Sequence, residues 1–243
     1  MKEKPILFNG EMVRAILDGK KTQTRRVIKP QPVLVGERWE WTPRGKVVHS
    51  SDWFVDREPS PFMLCGAPYQ IGDRLWVKET FVLETITNVG ELPTDGRPYE
   101  YIESNYDEDY YWLVPHYRAT EPEPHIVPDD LEDSYDDRTR WSPSIFMPKW
   151  ATRIWLEVTD KRAEQVQDIS EEDARAEGAE PVMKDSGGFE PTGSPCPEIP
   201  HYGEGFAMLW DSINKARGFG LDTNPWVWVY ELRRLETSAG AKQ

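Results

Sequence analysis

At 243 residues and 28.2 kDa the chain is long enough to bury a full core, as one large domain or as one domain carrying insertions. No run approaches the roughly 18 apolar residues of a membrane span, and the start, Met1-Lys2-Glu3-Lys4-Pro5, lacks the apolar stretch of a signal peptide, so a cytoplasmic protein without membrane contact is expected. Two distant cysteines, Cys65 and Cys196, and four histidines at no ligand spacing argue against a disulfide framework, a metal site or a metal cofactor. The net charge of −14 is local: residues 84–137 hold 16 Asp or Glu against two arginines, and the rest of the chain is neutral.

In chain order, Ile6 to Phe8 reads as a short strand. Asn9 offers an N-cap oxygen to a helix whose Met12, Ala15 and Ile16 share one face and which Gly19 ends. Residues 33–70, with Trp39, Trp41 and Trp53 among prolines and glycines, look like an irregular excursion, and these tryptophans are candidates for a lid. Gly72-Asp73 is a turn, and Arg74 to Leu83 alternates as one strand. Glu79 within it is expected to be solvated. The acidic segment from 84 to about 140 reads as a surface insertion, although its tyrosines argue against full disorder.

Thr152 to Val158 is expected as a strand. Ser170-Glu171-Glu172-Asp173 has capping-box spacing and opens a helix that runs through Glu177 and stops at Gly178. Residues 181–204 read as loop, Phe206 to Ile213 as an amphipathic helix ending near Gly218, and Trp226 to Leu235 as a last strand. Thr237 to Gln243 is a polar tail. The expected fold is α+β, a small mixed β-barrel with short helices and large loop insertions at about 33–70 and 84–140, forming one domain over 1–236.

The chemistry concentrates in Lys20-Lys21-Thr22-Gln23-Thr24-Arg25-Arg26. Lys21 has Lys20, Arg25 and Arg26 as neighbours, and nearby cations favour a neutral lysine amine, a base able to activate a threonine hydroxyl. Lys21 and Thr24 are three residues apart, so a turn brings them together. A strand beginning at Thr22 instead sets Thr22, Thr24 and Arg26 on one face. A basic, solvated loop after a helix C-terminus accounts for Lys20 and Lys21 but not for the hydroxyls.

The pattern Ile16-Leu17-x-Gly19-x-Lys21-Thr22-x-Thr24-x-Arg26 resembles the opening signature of the ASCH domain family, which is related to the PUA fold. Gly72 to Val77, Ile169 to Gly178 and the closing helix and strand are similar to later elements of those domains. The long, tryptophan-rich form is similar to ASCH proteins of phages and prophages. The family includes a bacterial amidohydrolase acting on N4-acetylcytidine, and the resemblance implies Lys21 as base, Thr24 as nucleophile and Glu177 as proton shuttle. Thr22, Arg26 and Lys20 are then candidates for substrate binding. The ligand expected is a modified nucleoside or nucleotide, or a short single-stranded RNA, since the acidic segment repels a long polyanion. No cofactor is expected. Two other readings stand beside this one: a non-catalytic reader of RNA or modified nucleic acid using the same pocket, and a phage protein that engages a host protein through residues 84–137.

Overall fold

The computed structural model describes residues 1–35, 38–42, 48–49, 54–55, 58–59, 66–103, 110–121, 141–184 and 198–236. In chain order its elements begin with β1 (Glu3–Leu7), α1 (Gly10–Leu17), β2 (Gln23–Val27), β3 (Val33–Val35), β4 (Arg38–Trp41), β5 (Val48–His49), β6 (Phe54–Val55) and β7 (Glu58–Pro59). They continue with β8 (Arg74–Lys78), β9 (Phe81–Ile86), β10 (Glu100–Glu103), β11 (Tyr110–Tyr117), β12 (Trp155–Gln165), α2 (Glu171–Ala176), β13 (Val182–Lys184), β14 (Ile199–His201), α3 (Tyr202–Asn214) and β15 (Trp226–Leu235). The class is α+β, and among the described residues no sheet closes on itself. No helix among the described residues is long and apolar enough to cross a membrane.

Two compact units divide the chain: Met1–Leu17, Asp73–Glu157 and Arg234–Gln243 in the first, Asp18–Gly72 and Val158–Arg233 in the second. In the first unit β1 runs parallel to β8, and the start of β12 lies antiparallel on the other side of β8. Helix α1 starts as its sequence predicts, with Asn9 Oδ1 accepting the Met12 N–H at 2.8 Å. Its Val13 and Ile16 are buried, whereas Met12 and Ala15 are half-buried.

The single strand expected over Arg74 to Leu83 is two strands. Leu75 and Val77 are buried on one face of β8, as the alternation demands. The ladder breaks at Glu79, expected in solvent but only 2% exposed. Both of its carboxylate oxygens accept from Arg153, at 2.9 and 2.8 Å, and its backbone N–H donates to Met147 Sδ. Satisfying that buried charge turns the chain out of the first sheet and into a second, ordered β10-β11-β9.

The acidic segment is consequently not a mere surface insertion. Strands β9, β10 and β11 take its aromatic and aliphatic residues, and Val114 and Tyr117 are buried. Its described acids Glu84 and Glu121 flank the two ring nitrogens of His116, at 2.7 and 2.6 Å, and Asp95 holds Arg97. Its most acidic stretches, 104–109 and 122–140, lie outside the described residues.

In the second unit the end of β12, β15 and β2 form a sheet with β2 at its edge, antiparallel to β15. One face of β15 and β2 packs under α2 and α3 through Val227, Val229, Ala174, Phe206 and Trp210. The close approach of α3 needs Gly205, where a Cβ would stand 1.7 Å from the Glu180 carbonyl oxygen. The excursion carries short pairings, β3-β4-β5 and β6-β7. Of the three tryptophans offered as a lid, Trp41 is buried, its indole N–H donating to the Pro30 carbonyl at 2.8 Å and its ring edge-on to Trp228. The side chain of Trp39, and Trp53, lie outside the described residues. Residues 181–204, expected as loop, pair β13 with β14.

Candidate functional site

The second unit holds all the site residues predicted from the sequence. Residues 20–22 cross from α1 to β2, and their backbone is fixed from two sides. The Thr22 N–H donates to the Ala176 carbonyl at 2.8 Å, and the Thr22 carbonyl accepts from the Leu232 N–H at 2.7 Å. From Gln23 the chain is a strand and its side chains alternate, so Gln23 and Arg25 share one face and Thr24 and Arg26 the other. Of the two arrangements open from the sequence, the strand is the one formed.

Lys21 is buried, and its Nζ lies 2.5 Å from Glu177 Oε2 while also donating to the Glu177 carbonyl at 2.7 Å. Glu177 is delivered by α2. Ser170 Oγ accepts the Asp173 N–H at 3.1 Å and starts this six-residue helix, and Gly178, at φ +79°, turns the chain away immediately after Glu177. The second carboxylate oxygen of Glu177 accepts from Arg25 Nη1 at 3.2 Å.

Arg25 extends this pair into a network. Its guanidinium also donates to Glu164 at 2.6 Å, to Asp173 at 3.1 Å and to Gln23 at 3.2 Å, and it stands 5.6 Å from the centre of the Phe206 ring. Arg162 bridges the same Glu164 and Asp173, at 3.0 and 2.6 Å. The capping-box expectation is therefore half met. Ser170 caps the helix, but the Asp173 carboxylate does not turn back to it; it accepts from Gln23, Arg25 and Arg162 instead.

The electrostatics follow from burial. Removal from water pushes the Lys21 amine below its ordinary value; Glu177 opposes that shift, and Arg26 and Arg25 add to it. Burial works against the charge on Asp173 but is outweighed by Gln23, Arg162 and Arg25, which hold its carboxyl below the usual range. Arg26 is half-buried and lowered by desolvation, with Tyr69, Glu177 and Tyr230 supporting its charge. A guanidinium so placed remains a cation.

The structure brings Lys21 and Glu177 into contact across 156 residues of sequence. Thr24 is 2% exposed and lies directly opposite Tyr230 in the β2–β15 register, with Arg26 opposite Trp228. Directly opposed residues project from the same face of a sheet, so Thr24, Arg26, Trp228 and Tyr230 share one. Thr22 is exposed, and so is Lys20, whose nearest acid is Asp18 at 3.9 Å. Neither reaches the buried cluster through a contact described above.

Sequence reasoning passed over Arg25, Glu164, Asp173, Tyr69 and Tyr230. The alternation that aligned Thr22, Thr24 and Arg26 also implied an opposite face for Arg25. Tyr230 carried no local signal, because only the strand register sets it against Thr24. Among the described residues no group of three or more His, Cys, Asp or Glu is arranged to hold a metal ion. No family model, curated protein or solved structure matches the chain.

Proposed function

We propose that this chain is a PUA-like ASCH protein that hydrolyses the N-acyl group of a modified pyrimidine nucleoside, of which N4-acetylcytidine is the type. The observation that carries this reading is the buried Lys21–Glu177 contact of 2.5 Å, formed by the two residues that the family resemblance names as base and proton shuttle. Burial favours a neutral amine at Lys21, and Glu177 is placed to take up or return its proton.

In the proposed reaction the Thr24 Oγ bonds to the acyl carbon as its proton passes through a water molecule to the Lys21 amine. The carbonyl π pair moves onto oxygen and returns as the C–N bond breaks, and the exocyclic nitrogen leaves with the proton relayed through Lys21 and Glu177. Water then attacks the threonyl ester, releasing the carboxylic acid and restoring the hydroxyl. Arg26 and the aromatic residues Tyr69, Trp228 and Tyr230 suit a planar, polar ligand better than a flexible acyl chain.

Incubation of N4-acetylcytidine with the protein, read by chromatography with mass detection, tests the reading. Cytidine and acetate are expected from the wild type, with the rate reduced at least 100-fold in T24A, K21A and E177Q. Absence of conversion at high protein concentration removes the hydrolase reading. Tight binding without conversion then makes the same residues those of a reader.

A further inference from the structure

Tyr230 is a large side chain on the Thr24 face whose hydroxyl proton the described residues leave without an acceptor. Its residue is 0% exposed, and its hydroxyl has no hydrogen-bond partner of ordinary length and angle. The Tyr69 backbone N–H directed at its oxygen is itself a donor, so the hydroxyl proton has no acceptor there. Folded proteins satisfy almost all buried polar groups, and a phenol that serves only packing is served equally by phenylalanine. A buried donor without an acceptor is what a binding site holds ready for a ligand.

The position says which part of a ligand is met. Thr24 and Tyr230 are register partners with neighbouring Cβ atoms on one face. The threonine hydroxyl sits on Cβ, close to the sheet, whereas the tyrosine hydroxyl stands at the far end of a ring. A ligand whose reacting carbon lies at Thr24 therefore meets Tyr230 several bonds away from that carbon. In an N4-acylated cytosine the carbonyl at ring position 2 lies that far from the acyl carbon, and it is an acceptor. Tyr69, half-buried and packed edge-on to Tyr230 with centroids 5.2 Å apart, supplies the aromatic wall beside it.

We infer that the Tyr230 hydroxyl is the specificity-determining donor of this site, reading the 2-oxo group of a pyrimidine base held by its acyl-bearing edge at Thr24. This inference rests on the deacylation reading for its choice of ligand. Burial among aromatic rings pushes the phenol's pKa up, so it holds its proton, and stays a donor, throughout the neutral range.

The test compares N4-acetylcytosine with 4-acetamidopyrimidine, the same ring without the 2-oxo group, on wild type and Y230F. The wild type is expected to prefer N4-acetylcytosine at least tenfold in kcat/KM, because a site built around a hydrogen bond rejects the analogue that lacks it. In Y230F that preference is expected to shrink to about twofold or less, with the thermal midpoint unchanged or raised. An unchanged preference in Y230F overturns the inference, and so does a wild type that shows no preference, whatever the variant does. If the wild type turns over neither compound, the deacylation reading fails by itself. Calorimetric titration with cytidine then decides: affinity lost at least tenfold in Y230F keeps the inference, whereas equal affinity or no binding overturns it.

Discussion

Lys21 and Glu177 meet at 2.5 Å with both side chains buried, and the lysine takes the carboxylate and the backbone carbonyl of the same residue. That double hold fixes the amine to the residue that follows α2, so the base and the helix end move as one body. Glu177 is in turn shared with Arg25, which leaves the carboxylate between the lysine amine and a guanidinium.

Breaking this contact from either side should be costly. Removing one partner of a buried ion pair costs about 3–5 kcal/mol, and K21M falls at the low end because Arg25 still faces Glu177. The double variant K21M/E177Q should recover part of the loss, giving a coupling energy of about 1–3 kcal/mol in urea denaturation. Additive single effects would remove the interpretation of a coupled pair.

The pH dependence has a definite sign. The folded Lys21 amine titrates below its ordinary value of 10.5, so between those two pKa values the unfolded chain binds more protons than the folded one. Stability attributable to Lys21 is therefore greatest above pH 10.5 and is lost as the pH falls through the folded pKa. The wild-type minus K21M stability difference should become more favourable to the wild type as pH rises across that window. Turnover that depends on the neutral amine should rise over the same range.

Asp173 carries the same sign at the acid end of the scale. Its folded pKa lies below the ordinary 3.8, so its contribution is present above that value and is lost as the pH falls through the folded one. D173N should unfold with a flatter acid limb than the wild type below about pH 4. It should also loosen Arg25 and Arg162, which both donate to this carboxylate.

Ser170 tests the link from helix cap to site. S170A deletes the side-chain acceptor of the Asp173 N–H and should cost about 1 kcal/mol. S170D, which restores an acceptor at the N-terminus of the helix, should regain most of it by thermal melting.

In the first unit, R153M leaves the buried Glu79 carboxylate without its two-point partner and should cost about 3 kcal/mol or more. It also removes a guanidinium lying 3.9 Å from the centre of the Tyr117 ring. E79Q/R153M should be closer to the wild type than R153M alone.

Much of the fold in both units was legible because its signals are local. The Asn9 and Ser170 caps, the glycines at 19 and 178, and the apolar run from Trp226 to Tyr230 that opens β15 each act within a few residues. The rest depended on partners far along the chain. Arg74 to Leu83 alternates straight through Glu79, and only Arg153, 74 residues later, explains why the strand ends there. The acidic segment misled through its average composition: its strands are built from tyrosine, tryptophan and valine, while most of its charge falls between them. At the site, Asp173 looked committed to its own helix until the cations of β2 and Arg162 claimed it.

The edge position of β2 has a consequence for biosynthesis. Its sheet neighbour is β15, and Val27 pairs with Val227, about 200 residues on. At about 5–20 residues per second, a ribosome needs on the order of 10–40 s to supply that neighbour. Through most of that interval the strand bearing Thr24 and Arg26, with Lys21 just before it, has left the exit tunnel with neither its ladder nor Glu177 to receive it. The nascent chain thus carries a positively charged strand for many seconds before the strand that pairs with it has been made.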